Sequence, residues 1–256
     1  VKAAANGVQL KANRTYTAYD VTGDGMKDKI RIRAANQTDD EAYASLTVSV
    51  NGKTAYRLKN TRFYNVIANI YTLKNGQPFL YLYAPAENGD GPVCALLKYT
   101  NGKFRKALDF TEIMTGYGNH RIGEVTNLNG NKIVITESIV SYSLGINAIN
   151  FTYKYVNGKF VPTSRYGSYK EIYSADGSSR YFTVNSDLPA YARPGATAVN
   201  TTLKTGSLTK IIKCALINRK MYIQLECDGE IYWIKALENP PIADNERQFM
   251  EVRYAG

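Results

Sequence analysis

Through the first two-thirds of the chain, apolar and polar residues alternate with a period of two, the spacing of a half-buried β-strand rather than of a helix. Residues 15–19, 29–34, 45–50, 53–58, 95–99, 103–107, 151–156 and 159–162 all read this way. Up to residue 170 only residues 110–115 suggest a helical turn. Between the strands an Asn-Gly pair recurs, at Asn51-Gly52, Asn75-Gly76, Asn101-Gly102, Asn129-Gly130 and Asn157-Gly158, in steps of 24, 26, 28 and 28 residues. A two-residue type I′ turn needs positive φ at both central positions, which Asn tolerates and Gly adopts freely, so each pair predicts a β-hairpin. Hairpins at so regular a period predict repeated antiparallel units, a propeller-like array over residues 1–170 whose blade count stays open.

The pattern changes further on. Residues 163–180, rich in Ser, Gly and Tyr, read as a linker or an irregular crossover. Beyond them five short strands at residues 181–185, 188–192, 208–217, 221–226 and 231–235 predict a small barrel over 181–256, with residues 237–256 running along its surface. The fold class expected is therefore all-β in two parts.

Composition narrows the chemistry. The chain of 256 residues carries 21 Tyr but a single histidine, His120, which excludes an enzyme built on several imidazoles. The formal charge of +10 lies wholly in the first part: residues 1–170 hold 22 Lys+Arg against 12 Asp+Glu, and residues 171–256 hold 10 of each. The basic residues come as singlets and doublets, which reads as a solvated cationic surface and not as a nucleic-acid groove. No apolar run is long enough to span a bilayer. The opening residues, Val-Lys-Ala-Ala-Ala-Asn, suit what is left after removal of a signal peptide, and predict a secreted or cell-surface protein. Cys94, Cys214 and Cys227 form neither a disulfide framework nor a CxxC site; buried free thiols are the default, and a bridge between Cys214 and Cys227 needs the two on neighbouring strands.

One segment has metal-binding spacing. Between strands at 15–19 and 29–34, oxygen-bearing side chains fall at Asp20, Thr22, Asp24 and Asp28, with Gly25 at the sixth position and the Met26 carbonyl at the seventh. Such spacing wraps a short loop around a hard cation, here Ca²⁺, whereas Arg31 stands where an EF-hand places its bidentate Glu. The competing reading is a metal-free Asp/Gly turn. The segment resembles the calcium loop of FG-GAP repeats, D-x-[DN]-x-D-G-x-x-D, found in integrin α-chain propellers and in secreted bacterial proteins. Asp20, Asp24, Gly25 and Asp28 match that pattern, and Thr22 departs from it. The resemblance implies a calcium-stabilised propeller blade, and the neutral hydroxyl at Thr22 implies modest affinity.

The last part resembles the bacterial SH3-like domain of secreted and wall-associated proteins. The likeness rests on the loop at 188–196 (LPAYARPGA), Leu203-Lys204-Thr205-Gly206 and the closing Tyr232-Trp233-Ile234-Lys235-Ala236. Trp233 then packs the core or lines an aromatic ligand groove; a lone Trp in a small barrel usually packs the interior. Domains of this kind accompany wall hydrolases, whose Cys/His peptidases place the nucleophile in an Asp-Cys-Ser-Gly context at a helix start. Cys94 instead sits in an apolar strand, and nothing pairs Glu112, Glu124 and Glu137 as glycosidase carboxylates. The expectation is thus a non-catalytic, secreted or cell-envelope binding protein with partners among wall polymer, glycan or another protein. The alternative is a cell-wall hydrolase, peptidase or glycosidase, with an unrecognised active site.

Overall fold

The computed structural model describes residues 7–38, 40–174 and 177–254; residues 1–6, which carry the expectation of a cleaved signal peptide, lie outside them. The described elements are strands, apart from single 3-10 turns at Glu87–Gly89, Phe110–Glu112 and Asp244–Glu246. Among the described residues no helix is long and apolar enough to cross a membrane.

Three four-stranded meanders follow one another. The first is β2 (Arg14–Tyr19), β3 (Asp28–Gln37), β4 (Tyr43–Val50) and β5 (Lys53–Phe63), hydrogen-bonded in chain order. The second is β6 (Ile67–Thr72), β7 (Pro78–Ala84), β8 (Val93–Thr100) and β9 (Lys103–Asp109), with the N-terminal β1 (Val8–Leu10) added beside β6. The third is β10 (Gly118–Asn129), β11 (Lys132–Ser141), β12 (Gly145–Val156) and β13 (Lys159–Pro162). All five Asn-Gly pairs sit at hairpin connections, but their geometry differs. Asn51, Asn101 and Asn157 have φ of 50°, 50° and 49°, each followed by a glycine of positive φ, the type I′ signature. These three close the last hairpin of each meander, so the structural period is 50 to 56 residues, twice the spacing of the dipeptides. Asn75 and Asn129 lie in the first hairpin of the second and third meanders; there only the glycine has positive φ, and the loop after Asn129 is Gly130-Asn131. In the first meander the matching connection, β2 to β3, is the carboxylate loop.

The chain forms two compact units, and the division interleaves along the sequence. One comprises Val1–Thr111, Ile122–Ile135 and Tyr153–Val161; the other comprises Glu112–Arg121, Thr136–Thr152 and Pro162–Gly256. In the first unit the inward rows of two sheets share one core: Ile30, Ile32, Leu46 and Val48 from the first meander join Leu80, Leu82, Ala95 and Leu97 from the second. In the second unit, β14 (Tyr166–Ser174), β15 (Gly177–Ser178), β16 (Tyr181–Thr183), β17 (Leu188–Ala190), β18 (Thr201–Leu203), β19 (Leu208–Ile217), β20 (Lys220–Cys227) and β21 (Glu230–Lys235) complete the strand list. The order β12-β14-β19-β20-β21 is antiparallel between neighbours, β16 pairs with β19 past the end of β14, and β17 pairs with β18. None of these sheets closes on itself.

Two expectations change. The segment read as an irregular linker contains the nine-residue strand β14, whose Gly167, Tyr169, Ile172 and Ser174 are buried in alternation, interrupted by one irregularity between Tyr169 and Glu171. Its glycine has a packing reason: a Cβ at Gly167 would lie 2.5 to 2.8 Å from the side chains of Phe151 and Ile149. The tail keeps to the surface only in part: residues 238–246 are mostly exposed, whereas Gln248 and Phe249 are buried. Phe249 is fully buried against Phe182 at a ring-centroid distance of 5.6 Å, and Met250 donates its N–H to the Thr183 carbonyl. A single Phe in a polar context gave no period to read.

Candidate functional site

The loop from Asp20 to Asp28 is organised by its two end carboxylates. Asp28 opens β3, is only 1% exposed, and holds the chain on both sides. Its Oδ2 accepts the N–H groups of Val21 (2.7 Å) and Thr22 (2.9 Å), and its Oδ1 accepts the Asn51 side-chain amide at 2.6 Å. Asn51 in turn accepts the Lys29 N–H at 2.8 Å, so the loop is fastened to the type I′ turn between β4 and β5. Asp20 accepts the Gly23 N–H on Oδ1 (2.6 Å) and the Gly25 N–H on Oδ2 (2.8 Å). Gly23 and Gly25, at φ of 81° and 86°, turn those N–H groups inward at a backbone angle other residues resist.

The Thr22 hydroxyl lies between the two ends, 3.2 Å from Asp20 Oδ1 and 3.3 Å from Asp28 Oδ1. Thus Asp20, Thr22 and Asp28 converge. Asp24 stands apart from them: its Oδ1 accepts the Met26 N–H at 2.8 Å, and Met26 is exposed. Among the described residues no three His, Cys, Asp or Glu side chains gather as a metal-holding group. The donor set nonetheless fits a hard cation in kind, since every convergent side-chain atom is oxygen and two of the three donors are carboxylates. Although desolvation, the largest influence, acts the other way, hydrogen bonds from Gly23, Gly25 and Thr22 hold the Asp20 carboxyl below its ordinary range.

Of the residues weighed for catalysis, Cys94, His120 and Glu137 have local partners. Cys94, buried on β8, donates to the Gly123 carbonyl at 3.3 Å, beside the Tyr81 hydroxyl, which bonds the same carbonyl at 2.7 Å. The Cys214 thiol is pushed up to about 12 by burial, so it holds its proton at neutral pH. Cys214 and Cys227 lie on neighbouring strands but face Ile223 and Thr209 respectively, and none of the three cysteines is in a disulfide. His120 lies on β10, with Nε2 3.0 Å from the buried Glu137 of β11. Glu112 is exposed in a 3-10 turn, and Glu124 lies half-buried on β10. The Asp228-Gly229 hairpin joins β20 to β21 with φ of 53° and 81°, and its Asp-Gly pair is itself a type I′ sequence signal. Trp233 is 4% exposed and packs with Tyr191, Ala215 and Tyr222; its N–H and carbonyl exchange hydrogen bonds with Tyr191 at 2.9 and 2.7 Å.

The fold and site define an all-β protein with a carboxylate-fastened loop. Comparison with known proteins finds no matching family model, no matching curated protein and no matching solved structure.

Proposed function

We propose that the chain is a non-catalytic, secreted or cell-envelope binding protein whose first meander is stabilised by calcium at the 20–28 loop. The observation that carries this reading is the convergence of Asp20 and Asp28 on the Thr22 hydroxyl, with Asp28 buried and fastened to Asn51. Asp20, Thr22 and Asp28 would hold the ion, with Asp24 and the Met26 carbonyl completing the set. The ion would supply structural closure of the loop. The three successive four-stranded meanders, each ending in a type I′ turn, support a propeller-like array, and the core position of Trp233 suits an SH3-like part. A binding role also fits the thiols and the imidazole, which are tied into local structure. Partners of this kind of protein are wall polymer, glycan or another protein.

Thermal unfolding of the full chain with calcium and with a chelator tests the proposal. Calcium at about 100 times its Kd stabilises by about 2.7 kcal/mol. At about 2–4 °C per kcal/mol for a chain of this size, that is a rise in Tm of about 5–11 °C. Equal melting in both conditions, with calcium at tens of millimolar, overturns the calcium claim.

A further inference from the structure

The sheet formed by β14, β16, β19, β20 and β21 turns one face to the core: Phe182, Ile211, Cys214, Ile223, Leu225 and Ile234 are all 0% exposed. On its other face the register lines up exposed residues. Tyr181 pairs with Lys210, Lys210 with Glu226, and Glu226 with Ile231, forming one row across four strands. A second row runs Ser168, Lys213, Gln224, Trp233, and a third runs Tyr166, Ala215, Tyr222, Lys235. Paired residues share a face, so the three rows belong to one surface despite the bulge between Ile211 and Lys213.

Part of this face is core, at Trp233, Tyr222, Ala215 and Tyr191. The rest is open. Tyr166, Tyr181, Leu208 and Ile231 are 42, 52, 59 and 45% exposed, an unusual concentration of large apolar groups on one face of a sheet. Lysines accompany both tyrosines. Lys213 Nζ is 4.7 Å from the Tyr166 ring centre and 6.0 Å from that of Trp233, and Lys210 Nζ is 5.9 Å from that of Tyr181. Tyr166 and Tyr181 flank the same side of β19, opposite positions 215 and 210, at most about 16 Å apart at about 3.3 Å per residue. Lys210 and Lys213 stand on the strand between them, and Lys235 continues the positive character beyond; Glu226 is the acid in these rows.

We propose that this strip along β19 is a binding site for a linear carboxylated polysaccharide. The proposal rests on the reading of the chain as a binding module and names its site and ligand class. Flat aromatic faces suit the C–H faces of sugar rings, and the intervening ammonium groups match carboxylates along an extended chain. A rigid strand holds both at fixed spacing, so little ordering cost falls on the protein. An acidic peptide shares the charge but has no ring faces for the tyrosines.

The test is calorimetric titration of the full chain with tetragalacturonate, maltotetraose and tetraglutamate at low salt. Tetragalacturonate alone is expected to bind, and to weaken as salt rises. Tyr181→Ala and the pair Lys210→Gln with Lys213→Gln are each expected to lower affinity at least tenfold. An unchanged melting temperature certifies each folded variant, since Tyr181 and Lys210 are exposed and Lys213 is half-buried. Absence of tetragalacturonate binding, equal or tighter binding of tetraglutamate, or binding unaffected by these variants overturns the site. Cleavage of the oligosaccharide would overturn the non-catalytic reading instead, and is scored separately by product analysis.

Discussion

Replacing Asp28 with Ala removes the fastening of the loop at its root. The carboxylate accepts two backbone N–H groups, at 2.7 and 2.9 Å, and the Asn51 amide at 2.6 Å, and both Asp28 and Val21 are buried. Each buried donor left unpaired costs about 1–3 kcal/mol. Val21 N–H is the most enclosed, while Thr22 and Asn51 recover water in part, so the sum comes to about 2–5 kcal/mol. At about 2–4 °C per kcal/mol the melting temperature falls by about 4–20 °C. The assay is thermal unfolding by circular dichroism in chelator, so that calcium makes no contribution to either protein. Asp24→Ala is the control, since Asp24 is exposed and accepts one hydrogen bond within its own turn. It should hardly move the melt in chelator, yet abolish any stabilisation by calcium. A fall of less than about 2 °C for Asp28→Ala, or equal falls for the two variants, would refute the fastening.

Phe249→Ala should cost about 3–5 kcal/mol in chemical denaturation, because the ring is fully buried against Phe182; a cost below about 1 kcal/mol would return the tail to the surface. The buried Cys214 thiol, raised to about 12 by desolvation, should resist aromatic disulfide reagents at pH 8 and react at once when the chain is unfolded; rapid native labelling of that residue by peptide mapping would contradict its placement. Asp20 has a folded pKa held below its ordinary value, so its contribution is present above the usual carboxylate range and is lost as pH falls through the lowered value. Asp20→Asn should therefore flatten the acid limb of the Tm profile and leave the region above pH 8 with no further pH dependence of its own; an unchanged acid limb contradicts this.

Strand positions were legible because alternation and Asn-Gly turns are local signals. Residues 45–50 and 53–58 lie within β4 and β5, joined where Asn51-Gly52 indicated. The Asn-Gly spacing is that of single hairpins, and two hairpins make up each four-stranded meander. The dipeptide recurs in both hairpins of the second and third meanders, and only backbone φ separates the type I′ turns at Asn51, Asn101 and Asn157 from the others. The Asn218-Arg219 turn, with φ of 50° and 64°, was hidden because Arg carries no turn signal; the flanking β19 and β20 ladder imposes it. β14 was hidden for a related reason: Gly and Ser at buried strand positions look like loop until their neighbours, Phe151 and Ile149, are known. In the carboxylate loop the spacing identified Asp20 and Asp28 as a pair that the Thr22 hydroxyl joins. It could not reveal Asn51 as their partner, which lies 23 residues from Asp28 and arrives through sheet pairing.

The most direct measurement of the central claim is terbium luminescence of the full chain, with Tyr19, adjacent in sequence to Asp20, as the sensitiser. Terbium is a hard, oxygen-seeking stand-in for calcium. Tyrosine-sensitised emission should saturate at one ion per chain, be displaced by calcium, and vanish in Asp20→Asn and Asp24→Ala while both variants stay folded. Emission that never saturates, or that survives both substitutions, would contradict a calcium loop at Asp20 to Asp28.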